Sequence, residues 1–279
     1  MSSFKQQATK PDLSQQVIWL TGASSGIGEA LVKPLAEQCK ALIISARNQE
    51  KLQQVARLSG CNNIVCAPAD ITDRDQLHKV ANVIEQQFGG LHTLIANAGT
   101  CEYVDVQQFD AELFERVIHT NLIGLANCVE AALPLLRKSQ SDLNQRSYIV
   151  GMSSSVAYLP LTRAQAYGAS KAATNHFLEA MKIDLAPEQM DVSVICPGFV
   201  KTPLTDQNDF DMPMRISAEQ AADEIIKGIK KRDWEIHFPR RFTRILKLIA
   251  ALPSSLRMRL TQSMSRQSMS RQSMANNKP

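Results

Sequence analysis

Tyr167 and Lys171 stand four residues apart in the stretch Tyr167-Gly168-Ala169-Ser170-Lys171. On a helix that spacing puts both on one face. A free phenol keeps its proton up to a pKa of about 10, so it is a poor acid or base at neutral pH. A neighbouring ammonium favours the phenolate and lowers that pKa, which makes such a pair a device for proton transfer. The same spacing is also frequent on the solvent face of amphipathic helices, so the pair needs support from the rest of the chain. Residues 151–158 read GMSSSVAY. Serine runs usually satisfy backbone groups at strand ends. After the apolar Tyr148-Ile149-Val150, strand parity puts Ser153 and Ser155 on one face, so at most Ser154 or that pair can face a substrate.

A third feature precedes both. Thr21-Gly22-Ala23-Ser24-Ser25-Gly26-Ile27-Gly28 follows an apolar run and opens a helical segment. Gly22 suits a tight turn, Gly26 a close approach of backbone to a pyrophosphate, and Gly28 close packing of helix on strand. The helix N-terminus offers N–H groups and positive dipole to phosphates. A bare glycine pattern is often a simple turn; the strand before this one and the helix after it give it context.

These residues need elements to position them. Apolar runs of strand length occur at 17–20, 41–44, 64–67, 93–96, 148–150 and 192–196. Segments with helical spacing, such as 75–88 and 164–185, lie between them. Continuous apolar strands separated by helices predict a parallel sheet covered on both faces. The alternation predicts an α/β doubly wound parallel sheet of the Rossmann type, in a single domain over residues 14–238. A polar connection at 202–215 is followed by a helix over 218–231 and a short strand near 234–238. Pro34 inside the first helix predicts a kink. That helix also ends Gln38-Cys39-Lys40, with no glycine to close it.

The glycine spacing is G-x-x-x-G-x-G, and here the chain resembles the short-chain dehydrogenase/reductase family. The resemblance continues in order: Asp70-Ile71 after the third strand, Asn97-Ala98-Gly99 after the fourth, Asn121 in the next helix, the serine run, Tyr167 and Lys171, then Pro197-Gly198. It spans roughly residues 14–238, and Ala96 stands where the family often has a second asparagine. It implies an oxidoreductase that interconverts a carbonyl compound and an alcohol by hydride transfer with a nicotinamide cofactor. Tyr167 becomes the general acid/base. Lys171 also holds the nicotinamide ribose, and Asn121 positions a water between Lys171 and solvent. The family's serine lies thirteen residues before its tyrosine, which selects Ser154 as the donor to the substrate carbonyl. Ser153 and Ser155 are then structural, Ser155 at most lining the pocket. His119, Tyr103 and Tyr158 are read as structural or exposed, since the tyrosine fills the acid/base role.

The same resemblance distributes the cofactor contacts. Gly22, Ser24, Ser25, Gly26, Ile27 and Gly28 form the phosphate loop. Asp70 faces the adenine amino group, and Asn97 and Gly99 border the adenosine. Tyr167, Lys171, Pro197, Val200 and Thr202 serve the nicotinamide side. The second strand ends Ile44-Ser45-Ala46-Arg47, where relatives preferring NAD place an acidic residue for the ribose 2′-hydroxyl. Ala46 does not repel a 2′-phosphate and Arg47 can grip one bidentately, which favours NADP(H) over NAD(H). Long helices near 106–136 and 164–185 imply a homodimer or tetramer. The 202–215 connection resembles the family's substrate loop and carries Leu204, Phe210, Met212 and Met214 beside Asp206, Asp209 and Asp211. With Val156, Tyr158 and Leu159 it suggests an apolar small-molecule carbonyl substrate. A non-catalytic NADP-binding sensor or scaffold is the rival, but it does not need the full set of Asn121, Ser154, Tyr167 and Lys171. A membrane-surface adaptor on a relic dehydrogenase fold is a second rival.

The totals set outer limits. The 279 residues are 44% apolar and 21% charged, as in soluble globular proteins. No apolar run is long enough for a membrane span. The start, MSSFKQQATKPDLSQQ, lacks the apolar core of a signal peptide, so a cytoplasmic protein with reduced thiols is expected. Cys39, Cys61, Cys66, Cys101, Cys128 and Cys196 form no C-x-x-C pair, and no metal site is expected. From His237 onward there are nine Lys/Arg and no Asp/Glu, leaving 22 basic and 27 acidic residues before it. Phe242, Ile245, Leu246 and Ile249 share one face of a helical wheel, with Arg240, Arg241, Arg244 and Lys247 opposite. This basic amphipathic extension, residues 239–261, fits peripheral contact with an anionic membrane through 240–260. It also fits packing on the domain or on a partner subunit. No nucleic-acid reading motif accompanies the charge. Residues 1–13 are expected to be a disordered N-terminal segment. Residues 262–279, which repeat QSMSR, are expected to be a low-complexity tail, disordered or extending the helix before it.

Overall fold

Strands β1 (Val17–Thr21), β2 (Ala41–Ser45), β4 (Thr93–Ala96) and β5 (Tyr148–Met152) are buried at every residue. A strand apolar on both sides needs cover on both sides. The computed structural model, which describes residues 12–141, 146–206, 208 and 212–263, supplies that cover. With β3 (Ile64–Cys66), β6 (Asp191–Pro197) and β7 (Glu235–Phe238) the strands make one seven-stranded sheet, ordered β3-β2-β1-β4-β5-β6-β7. Every pairing is parallel. Helices α1 (Gly26–Ala36) and α2 (Gln49–Ser59) pack on one face over Ile18, Leu20, Ile44 and Val150. Helix α3 (Arg74–Phe88) packs on the other over Trp19, Ile43, Leu94 and Ile149. Alternate residues of one strand thus feed opposite cores, which is the doubly wound arrangement.

Helix α4 (Ala111–Ile118) runs into α5 (Gly124–Lys138) through one π turn, His119–Ile123. Together with α6 (Gln165–Leu185) these occupy the two long helical segments expected near 106–136 and 164–185. Helix α7 (Ala218–Lys231) has a capping box, Ser217 with Gln220, and joins α1 and α2 on their face. Helix α1 continues through Pro34 for only two more residues. The missing glycine at its end is replaced by a side chain from the connection between α2 and β3. Asn63 Nδ2 donates to the carbonyls of Ala36 (2.9 Å) and Cys39 (2.8 Å), taking up groups that a helix end leaves orphaned.

The termini depart from the expected boundaries. Leu13, placed by sequence in the N-terminal segment, is buried in the α1 core. Residues 1–11, most of the QSMSR repeat, and Asp209, Phe210 and Asp211 lie outside the described residues. Helix α8 (Arg240–Ala250) packs against β7, and a further helix covers residues 254–263. The apolar stripe of α8 is rotated from the wheel: Thr243 and Leu246 are buried and Phe242 half-buried, while Ile245 faces out. Lys247, expected on the outer face, reaches inward to Glu235 of β7. Among the described residues no helix is long and apolar enough to cross a membrane.

The order of strands creates a crevice where β1 and β4 lie side by side and the chain departs in opposite directions. The Asn63 staple fixes the α1–β2 connection at the opposite, amino end of the strands. Asn63→Ala should cost about 1–3 kcal/mol, since two part-buried carbonyls lose their donor. Urea unfolding should show a lower midpoint with an unchanged slope; an unchanged midpoint would mean that water replaces the amide without loss.

Candidate active site

The glycine loop lies at the carboxyl end of β1. Gly22 and Gly26 have φ of +69° and +59°, where a side chain is strained. A Cβ at Gly28 would fall 2.1 Å from the Gly22 carbonyl oxygen and 2.6 Å from Asn97 Nδ2. Asn97 explains the tightness: its Nδ2 donates to the carbonyls of Thr21 (3.0 Å) and Gly22 (3.2 Å). Thr21 Oγ1 in return accepts from the N–H groups of Asn97 and Ala98, both at 3.2 Å. Asn97 is therefore a staple between β4 and the loop. Ser25, exposed and extended, leads into α1 without a side-chain cap, and Ser24, Gly26 and Ile27 are half-buried beside it. Uncapped first-turn N–H groups at a helix start make a cradle for an anion.

The remaining loops gather on the same edge. Arg47 is exposed just past β2 and forms no ion pair among the described residues. Asp70, past β3, is half-buried, and its Oδ1 accepts from the Thr72 N–H (2.9 Å) and hydroxyl (2.8 Å). Pro197 ends β6. Val200 is buried and bridged to Ile216. The Thr202 side chain leans over the loop, its Cβ and Cγ2 each 3.2 Å from where a Gly26 Cβ would stand. The residues assigned by sequence to the phosphate and nicotinamide ends thus touch.

The three serines have different surroundings. The Ser153 N–H donates to the Ile195 carbonyl (2.8 Å) and its hydroxyl to the Lys171 carbonyl (3.1 Å). It is buried and ties β5 to β6 and α6. Ser155 is buried at the start of a short turn. Only Ser154 is part-exposed; its hydroxyl is hydrogen-bonded to Tyr167 and accepts from the Val156 N–H at 3.2 Å.

Lys171 is buried, and its Nζ donates to the Met152 carbonyl at 2.8 Å. It lies 5.8 Å from the centre of the Tyr167 ring. Burial pushes the ammonium down to about 8, although Cys101 and Cys196 nearby favour the charge. The expected lowering of the Tyr167 pKa by this ammonium is absent. Burial raises the phenol's pKa, Cys101 and Cys196 raise it further, and only the Ser154 hydrogen bond lowers it. The Met152 carbonyl holds the ammonium, and desolvation dominates at the ring.

Asn121 is buried in the π turn, and its amide is committed. Nδ2 donates to the Thr100 carbonyl and to Ser170 Oγ, both at 2.9 Å, and Oδ1 accepts from the Thr100 N–H at 2.8 Å. Ser170 Oγ donates to the Tyr167 carbonyl at 2.7 Å. Asn121 therefore locks α6, carrying Tyr167 and Lys171, to the loop after β4. A Cβ at Gly99 would lie 2.9 Å from Asn121 Oδ1 and 3.4 Å from Lys171 Nζ. Gly99, in the loop after β4, thus backs the lysine.

Sequence reasoning gave no site role to Thr100, Ser170 or Cys101, and read Tyr103 as structural or exposed. Cys101 hydrogen-bonds Tyr103, and both interact electrostatically with Tyr167; Tyr103 also hydrogen-bonds Asn208 of the 202–215 connection. Ser170 had a signal, the i, i+3 spacing from Tyr167. Cys101 and Tyr103 had none, because a non-helical segment carries them in. His119 is exposed, as expected. All six cysteines are free, and no group of metal-ligating side chains occurs among the described residues.

Comparison with known proteins agrees with this geometry. A family model described as short chain dehydrogenase matches residues 16–212. An uncharacterized oxidoreductase of Myxococcus xanthus is 30% identical, over 88% of this chain and 96% of its own length. The 11-beta-hydroxysteroid dehydrogenase 1A of Arabidopsis thaliana is 34% identical over 70% of this chain, which spans 55% of that protein. Among solved structures, a short chain dehydrogenase from Burkholderia cenocepacia in complex with NADP superimposes with a TM-score of 0.76 at 24% identity, over 90% of this chain and 99% of that one. A short chain dehydrogenase/reductase from Burkholderia phymatum in complex with NAD gives 0.76 at 21% identity, over 85% and 94%. Match and topology agree over most of the length, and the chain belongs to the short chain dehydrogenase family of oxidoreductases.

Proposed function

We propose that this oxidoreductase interconverts a small apolar carbonyl compound and its alcohol, with NADP(H) as cofactor and Tyr167 as acid/base. The observation that carries the reading is the hydrogen bond of Ser154 to Tyr167 on the edge that holds the glycine cradle. The cradle suits a dinucleotide, since Gly22 and Gly28 let the loop pack directly on Ala98, on Asn97 and on itself, and the first turn of α1 is left without a side-chain cap. The loop from Gly22 to Gly28 and the α1 N-terminus would hold the pyrophosphate. Asp70, Asn97 and Gly99 would border the adenosine, and Lys171, Pro197, Val200 and Thr202 the nicotinamide side. Arg47, aided by Ser24 and Ser25, would take the 2′-phosphate. A bound nicotinamide supplies or accepts the hydride.

The chain's own part is proton and charge management. Ser154 donates a hydrogen bond to the substrate oxygen and stabilises charge there. Tyr167 delivers its phenolic proton to that oxygen. A phenol kept protonated by burial is in the state from which carbonyl reduction starts. Asn121, its amide committed to Thr100 and Ser170, leaves the holding of a water to the main-chain carbonyl of the π turn. Subunits pair through α4–α5 and α6 as a homodimer or tetramer.

Ser154→Ala should lower kcat roughly 10²-fold, and Ser153→Ala much less, in steady-state assays over a panel of ketones and aldehydes with NADPH. Tyr167→Phe should remove turnover and leave cofactor binding intact; equal losses at Ser153 and Ser154 would place both in folding. In fluorescence titrations NADPH should bind at least about tenfold more tightly than NADH, and Ala46→Asp/Arg47→Ala should reverse the order. Tighter NADH binding by the unmodified chain would sink the NADP assignment.

Burial of Lys171 also sets a pH dependence of stability. The folded ammonium titrates near 8 against a usual 10.5, so between these values the unfolded chain binds more protons and stability rises with pH. Measured against Lys171→Met, the cofactor-free protein should gain roughly 3 kcal/mol across that window. Urea unfolding at several pH values tests this. A difference between the two proteins that stays flat would put the ammonium in water.

A further inference from the structure

Helix α8 has two faces in use. Its inner face carries Phe242, Thr243 and Leu246, and Phe242 lies against Phe199 with ring centres 5.5 Å apart. Its outer face carries Arg241, Ile245 and Leu248, spaced i, i+4, i+7 and so in one stripe. Ile245 is 47% exposed and Leu248 71%. After Pro253 the next helix exposes Leu256, Met258 and Leu260. Twelve large apolar side chains are exposed among the described residues, and five of them fall between 245 and 260. Scattered exposed leucines need no account, but a concentration of them marks a contact surface.

Charge selects what that surface meets. Arg240, Arg241, Arg244 and Arg259 are exposed and form no ion pair among the described residues. The basic side chains that point inward are already used: Lys247 on Glu235, and Arg257 on the Ala250 carbonyl at 3.2 Å, which joins the two helices. No acidic residue occurs from His237 to the end of the chain. Two copies meeting through this face would set arginine against arginine. An anionic bilayer answers both features at once, with headgroups for the guanidinium groups and acyl chains for the Ile, Leu and Met side chains between them.

We propose that the outer face of α8 and of residues 254–263 docks reversibly on an anionic lipid bilayer. The proposal is independent of the catalytic reading. Docking also places one edge of the candidate site at the membrane, because Phe242 on the inner face packs on the Gly198–Phe199 turn that follows β6. A Cβ at Gly198 would come within 2.8 Å of the Phe242 ring, so helix and turn are held together. An apolar carbonyl compound dissolved in the bilayer then reaches the site from that side.

The test is co-sedimentation of the full chain with vesicles of phosphatidylglycerol mixed with phosphatidylcholine, and of phosphatidylcholine alone, at low and high salt. The chain should pellet with the anionic vesicles at low salt only. Arg241→Gln/Arg244→Gln should weaken binding about thirtyfold. Ile245→Gln/Leu248→Gln should weaken it at least about tenfold, with turnover of the dissolved protein and its mass by light scattering unchanged. A chain that stays in the supernatant with anionic vesicles at low salt overturns the proposal. So does sedimentation that neither double variant affects. A mass that drops in Ile245→Gln/Leu248→Gln would instead assign the face to a second copy.

Discussion

Gly28 has no room for a carbon. Its Cα lies so close to the Gly22 carbonyl that any side chain would overlap it, and Asn97 closes the gap from the other side. This contact of backbone on backbone sets how near α1 comes to β1 and β4. The first turn of α1 is then aimed at the crevice where the sheet changes direction. A side chain at Gly28 would have to push α1 off or displace the Gly22 carbonyl and the Asn97 amide that meets it. The cradle and the sheet are one construction, because the residue that shapes the loop belongs to the strand on the other side of the switch point.

A second constraint governs the chemistry. Lys171 is buried, and among the described residues its Nζ has one hydrogen bond, to the Met152 carbonyl. A desolvated ammonium with little compensation is easily neutralised. The surrounding polar groups are spent on rigidity instead: Asn121 on Thr100 and Ser170, Ser170 on Tyr167, Ser153 on the Lys171 carbonyl. These bonds fix α6 to β5 and to the strand-end loop of β4, so the phenol and the ammonium are held by a frame that does not depend on their charges. Such preorganisation is what a proton-transfer site requires. The π turn at Asn121 belongs to the same frame, since the extra residue swings its amide out of the helix ladder and toward Thr100.

Most of the fold was legible because buried parallel strands read as unbroken apolar runs, and six of the seven stand out that way in the sequence. β7 was weaker, an edge strand with Glu235 and His237 alternating with buried residues. The glycine loop and the Tyr167–Lys171 pair were legible because local spacing encodes them. Strand parity narrowed the serines, and the resemblance chose among them. What stayed hidden is tertiary. Nothing local in α1 says that Asn63 closes its end, and nothing in Asn97 says that its amide staples the glycine loop. The sign of the Tyr167 shift was misread for the same reason. Spacing gives the distance to a charge, but burial, which outweighs the charge here, depends on the whole fold.

Helix α8 shows the limit most clearly. A wheel gives the direction in which apolar residues cluster, and it placed Ile245 beside Phe242 and Leu246. It has no term for a partner with charge of its own. Glu235 on β7 takes Lys247, and Tyr158 from the loop after β5 shares that carboxylate through its hydroxyl at 2.6 Å. The ammonium also lies 4.9 Å from the Tyr158 ring centre, a cation over an aromatic face. Together with Thr243 on His237 at 2.6 Å, these polar contacts rotate the helix from its purely hydrophobic orientation. Ile245 and Leu248 are carried outward by that rotation. The apolar surface that α8 shows to its surroundings is thus a consequence of the ion pair beneath it, and the same pair links the helix to the loop that carries Ser154.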